Sequence, residues 1–153
     1  TSAITCPPNR TPFALGKHGY LVASGEQSFL QMIRDEKLPP GKYQCITPCF
    51  RDEPKIDELH QYGFMKLELI DISEYLEVSD MIANAMEYFR GNGLECRTVR
   101  QADGESWDIE GFSHKLKGWI ELGSYGLRYH PLVGGWAYGT GCAEPRLSQV
   151  IGA

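Results

Sequence analysis

The sequence predicts an α+β domain in which an antiparallel β-sheet is flanked by helices. Three observations carry that prediction. Two strand-patterned runs, 43–50 and 64–70, are separated by a polar loop, as an antiparallel pair should be. A long amphipathic segment, 74–91, follows with one apolar face. Three more strand-like runs, 95–100, 106–112 and 117–122, precede a last short helix.

Residues 1–12 are rich in proline, threonine and asparagine, and 1–19 read as an N-terminal arm, with a single domain over 20–153. A short strand at 20–23 leads into Ser24-Gly25-Glu26. A helix is expected over 27–35, where Phe29, Leu30 and Ile33 share one face. Pro39-Pro40-Gly41 then turns the chain into the paired strands, whose connecting loop is 54–59. Ser73 or Ser79 is expected to cap the long helix. Its Met81, Ile82, Ala85, Met86 and Phe89 point inward, and Gly91-Asn92-Gly93 stops it. Residues 123–131 read as turn-rich with one more short extended piece. Gly139-Thr140-Gly141 reads as a glycine turn, and a helix is expected from near Glu144. No internal repeat or low-complexity segment interrupts this order.

Length and charge narrow the function. At 153 residues the chain can bury a real core. A net charge of −5 and the lack of a basic stripe argue against a large nucleic-acid footprint. They do not argue against a small anionic ligand, because arginines can reverse the field inside a cleft. No apolar run approaches the roughly 20 residues that span a bilayer. Five cysteines, Cys6, Cys45, Cys49, Cys96 and Cys142, make an odd count with no CxxC pair, which suits a reducing cytoplasm rather than a disulfide scaffold. Cys45 and Cys49, four apart on one strand, read as small buried hydrophobes or as half of a metal site.

The candidate site begins at Arg51 and Glu53, one residue apart and expected on the same side of a strand. A guanidinium there can take phosphate and a carboxylate can accept from an exocyclic amine. The returning strand brings Phe64 to stack on a base and Glu68 as a second carboxylate. Arg146, after the glycine-rich run, supplies a second cation. Each has a plainer reading: Arg51 and Glu53 as a surface ion pair, Phe64 as core, His60 as a loop residue, Arg146 as helix surface. His18, His114 and His130 lack partners at catalytic spacing, so a Ser/His or Cys/His nucleophile finds little support. The glycine run lacks the lysine of a P-loop.

These residues resemble the signatures of class II aminoacyl-tRNA synthetases over about residues 20–150. Phe50-Arg51-Asp52-Glu53, with His60, Phe64 and Glu68 on the returning strand, is similar to motif 2 of that family. Gly139 to Arg146 is similar to motif 3. Asp108 and Glu110, with Glu121 and Ser124, resemble the DxE and ExxS stretches of seryl-type members. Gly126 to Pro131 looks closer to phenylalanyl- or aspartyl-type members, and Ser24-Gly25-Glu26 resembles a TxE signature. The closest subtype stays open.

The resemblance implies an ATP-dependent ligase that forms an aminoacyl-adenylate from an amino acid, with Mg²⁺ as the metal. It implies Arg51 and Arg146 as the catalytic cations. ATP is then held by Arg51, Glu53, His60, Phe64, Glu121 and Arg146, and Mg²⁺ by Glu121 and Ser124. Ser24, Glu26, Glu68, Asp108 and Glu110 face the amino acid. A tRNA or another acyl acceptor, and a homodimer, are the implied partners. Motif 1 is not recognisable before residue 20 and no anticodon-binding domain is evident, so a fragment or a minimal paralogue is expected. The alternative is a non-catalytic paralogue that binds nucleotide or amino acid, or serves as an assembly subunit.

Overall fold

A computed structural model of the protein describes residues 12–152. Six strands form one sheet in the order β1-β2-β6-β5-β4-β3, every pair antiparallel. The strands are β1 (Lys42–Phe50), β2 (Gly63–Asp71), β3 (Cys96–Arg100), β4 (Ser106–Ser113), β5 (Gly118–His130) and β6 (Gly134–Ala143). Three helices accompany them: α1 (Gly25–Arg34), α2 (Val78–Gly91) and α3 (Arg146–Ile151).

Strand alternation divides the sheet into two faces. On one face α2 and α3 pack Met86, Phe89 and Val150 against Ile109, Ile120, Leu122 and Ala137. On the other, α1 covers only one corner, where Phe29 and Leu30 meet Ile70 and Trp136. The uncovered remainder of that second face carries polar side chains and forms the cleft described below. The helix-covered face supplies the larger core; the half-covered face supplies the site.

Several local expectations need correction. The piece at 20–23 is no strand: it makes one bridge, Ala14 to Tyr20, and lends Val22 O to Phe50 N at 2.8 Å. β1 ends at Phe50, so Arg51 and Glu53 stand in the loop rather than on the strand. One more ladder bond, Arg51 N to Tyr62 O at 2.9 Å, keeps the base of that loop closed. Helix α2 starts at Val78 after Glu77, with no side-chain cap from either serine. Ser73 instead donates its N–H to Asp71 Oδ1 at 2.8 Å and its hydroxyl to Tyr75 O. The turn-rich stretch 123–131 belongs mostly to β5, one 13-residue strand.

The largest correction concerns Gly139-Thr140-Gly141, which lies inside β6 and is no turn. A Cβ on Gly139 would meet Met81 Sδ at 2.4 Å and Tyr125 Cδ1 at 2.7 Å. The glycine therefore serves close packing of a central strand under α2. The expected inward face of α2 holds: Met86 and Phe89 are buried, and Met81, Ile82 and Ala85 pack against the same core. The start of the expected N-terminal arm, residues 1–11, lies outside the described residues.

Candidate active site

A cleft of about 680 Å³ opens on the half-covered face. Ser24, Glu26, Arg51, Glu53, His60, Phe64, Glu68, Glu121, Ser124 and Arg146 all line it. They come from five places in the chain: the entry to α1, the loop 51–62, β2, β5, and the junction of β6 with α3. Convergence of that kind is a tertiary fact, and it divides the cleft into two ends.

At the first end the Arg51 guanidinium lies 5.1 Å from the centre of the Phe64 ring, a cation–π contact. Arg146 Nη1 is 2.8 Å from Glu121 Oε2. His60 is held through Nδ1, 2.8 Å from Asp57 Oδ1, which also accepts the N–H groups of Leu59 and His60 at 2.9 Å. Those bonds draw the Asp57 carboxyl down to about 2, the Leu59 N–H contributing most and the His60 side chain next. Asp57 thus folds the loop back and aims His60 at the cleft.

At the second end two carboxylates are sunk into the protein. Glu68, 4% exposed, collects the Ser24 hydroxyl, the Gly25 N–H and Lys66 Nζ on the same oxygen, Oε1. Its other oxygen remains as an acceptor. Glu26, 6% exposed, accepts from Trp136 Nε1 at 2.7 Å and from Arg128 Nη1. The Arg128 guanidinium also stacks 3.8 Å from the centre of the Tyr138 ring. A glycine must stand at 25, because a Cβ there would lie 2.6 Å from Cys45 Sγ.

Asp108 and Glu110 do not line the cleft. Both sit on β4, one strand beyond Ser124 and Glu121, their register partners on β5. Asp108 accepts from Gln101 Nε2 at 2.6 Å and hydrogen-bonds Ser124, so it backs Ser124 rather than lining the cleft. Burial raises its carboxyl above the ordinary value, with Glu121 and Glu110 adding repulsion. Glu110 pairs with Arg97 at 2.7 Å. Both carboxylates thus stand one strand behind the cleft-lining residues of β5.

Cys45 and Cys49 behave as packing residues. Burial raises both thiols, Cys49 to about 11. Among the described residues no group of three or more His, Cys, Asp or Glu gathers as a metal cage.

Sequence reasoning missed Lys66, Arg128, Trp136 and Tyr138. Lys66 carried a usable signal: on β2 it is two residues from both Phe64 and Glu68 and shares their face. Trp136 carried none, since only the β5–β6 pairing sets it beside Arg128, a residue of the 126–131 run whose resemblance assigned it no role.

An antiparallel sheet with helices behind it and a cleft lined by Arg51, Arg128 and Arg146 in front fits the class II synthetase type. Residues 24–135 match the family described as tRNA synthetases class II core domain (F), and the chain belongs to that family. It is similar to the serine–tRNA ligase of Methylacidiphilum infernorum, 30% identical over 86% of this chain and 40% of that protein. It is also similar to that of Desulfurococcus amylolyticus, 27% identical over 69% of this chain and 26% of that protein. The crystal structure of seryl-tRNA synthetase from Pyrococcus horikoshii complexed with ATP superposes with a TM-score of 0.77. It is 19% identical, so it shares the fold, over 93% of this chain and 40% of that one. The chain thus spans two fifths or less of these relatives. No helix among the described residues is long and apolar enough to cross a membrane.

Proposed function

We propose that this domain activates an amino acid with ATP, forming an aminoacyl-adenylate and releasing pyrophosphate. The observation that supports this most is the convergence of Arg51, Phe64, Glu121 and Arg146 on one cleft, with two buried carboxylates at its far end. In the reaction an oxygen of the substrate carboxylate bonds to the α-phosphorus. The bond from that phosphorus to pyrophosphate breaks, and pyrophosphate leaves with the electron pair. Such a displacement needs alignment and charge stabilisation more than a protein nucleophile.

Arg51 binds the α-phosphate and the attacking carboxylate together and offsets the charge that builds between them. Phe64 stacks on the adenine and Glu53 accepts from its amino group. Arg146 releases Glu121 to cover the other side of the nucleotide, and His60 reaches the terminal phosphates. Glu68 takes the substrate ammonium on the oxygen that its protein donors leave over. Ser24 holds Glu68 in place.

Mg²⁺ takes only one or two protein oxygens when it travels with a nucleotide. Glu121, with a side chain 41% exposed, and Ser124 fit such a site. When bound, the ion supplies charge neutralisation on the phosphates. Because the relatives are serine–tRNA ligases, a tRNA is the first acyl acceptor to assay.

Amino-acid-dependent exchange of pyrophosphate into ATP tests the reading in the full-length protein, over all standard amino acids, with Arg51→Ala as control. Exchange that needs Arg51 supports it. A folded protein that exchanges with none of them overturns it, and ATP binding without exchange identifies a non-catalytic relative.

A further inference from the structure

The second end of the cleft holds a cation that the proposed reaction does not use. Arg128 is pinned on two sides: Nη1 is bound to Glu26 and the guanidinium lies flat on Tyr138. An arginine whose plane and one nitrogen are fixed has lost most of its rotamer freedom before any ligand arrives. Yet its side chain is 42% exposed and lines the cleft. Its remaining N–H groups form a preset fork, the geometry that matches a carboxylate.

Position gives that fork a meaning. Ser24, Gly25 and Glu26 are consecutive: the first two bind Glu68, and the third binds Arg128. Three residues of backbone therefore set the distance between the carboxylate that takes an ammonium and the guanidinium beyond it. Charge points the same way. Lys66 and Arg128 balance Glu26 and Glu68, so this end is not the net-negative pocket that would repel a second carboxylate. A substrate with only an apolar or hydroxyl side chain would cover the fork without giving it a fitting partner, which costs binding.

We infer that Arg128 reads the side chain of the substrate, and that the cleft prefers an amino acid with a side-chain carboxylate. This rests on the amino-acid-activating reading above. In it the α-carboxylate goes to Arg51, the α-ammonium to Glu68 and the second carboxylate to Arg128.

Calorimetric titration of the full-length protein, with a non-hydrolysable ATP analogue present, tests it. The ligands are L-aspartate, L-glutamate, their amides L-asparagine and L-glutamine, and L-serine and L-alanine. One acidic amino acid is expected to bind at least about tenfold tighter than its own amide, the scale of one charge-assisted pair. Arg128→Gln should collapse that ratio toward one, and Arg128→Lys should keep the partner of Glu26 yet lose most of the preference. A ratio is read, so a general loss of folded protein does not imitate the result. Tighter binding of serine, alanine or an amide than of either acid overturns the inference, as does a ratio that both variants leave intact or a failure of all six to bind. Pyrophosphate exchange separates the two readings. Exchange with a neutral amino acid alone keeps the adenylation and removes the acidic preference. Arg128-dependent acid binding without any exchange does the reverse.

Discussion

The two ends of the cleft are built from the same residue types and solved in opposite ways. At the proposed nucleotide end Arg146 and Glu121 pair while partly exposed, 26% and 41%. At the proposed amino-acid end the carboxylates are buried, Glu68 held by three fixed donors and Glu26 by two. A loose pair in high dielectric is easily exchanged for a ligand, whereas a buried network must stay satisfied throughout. The first end is suited to a large charged ligand that comes and goes. The second is suited to measuring a small one.

That contrast can be broken at its extremes. Arg51→Ala should lower pyrophosphate exchange by about 10²–10³-fold, as losing one preorganised donor to a developing charge does, while the melting temperature barely moves. A large loss of stability instead would assign Arg51 to the scaffold. Glu26→Ala should show the opposite profile. It strands the indole N–H of Trp136, itself 2% exposed, and should cost about 2–3 kcal/mol in urea unfolding, with Arg128 adding little because solvent screens it.

Smaller effects sharpen the same division. Glu121→Gln removes a screened ion pair, so stability should stay within about 0.5 kcal/mol, while the Mg²⁺ concentration needed for exchange rises. Cys49, beside Glu68, gives a pH test of burial. Its thiol sits at about 11 in the folded protein against an ordinary 9.0. The folded state holds that proton more tightly, so the contribution to stability is complete below pH 9 and is lost as pH rises through 11. Urea midpoints should fall over that window and fall less in Cys49→Ala. Asp57 behaves with the opposite sign. Its folded value of about 2 lies below the ordinary 3.8, so the loop bonds are intact above about pH 4 and lost as pH falls toward 2. The protection of the Leu59 amide, taken relative to its intrinsic exchange rate at each pH, should fall in that range with the core still protected.

Most of the sheet was legible because its signals are local. The alternation in 43–50 and 64–70 found β1 and β2 within a residue or two. The helical spacing of Met81, Ile82, Ala85, Met86 and Phe89 found the face of α2 that meets the core. Glycine misled, because Gly139 looks the same in sequence whether it turns the chain or lets Met81 and Tyr125 close on it. Ten of the expected site residues reach one cleft because they lie on or beside elements the pattern identified. Asp108 and Glu110 miss it because strand order, which no local pattern encodes, put β5 between them and β6.

By itself the sequence determined the class of fold, the helix-facing core and the kinds of group that Arg51, Glu53, Phe64, Glu68 and Arg146 bring to the cleft. Those follow from side-chain periodicity and from the kinds of group each residue carries. Only the tertiary structure decided that Glu26 would bind Arg128 and Trp136, residues more than one hundred positions away. Burial is the physical reason. A carboxylate removed from water must find donors, and which donors it finds depends on which strands the fold lays side by side.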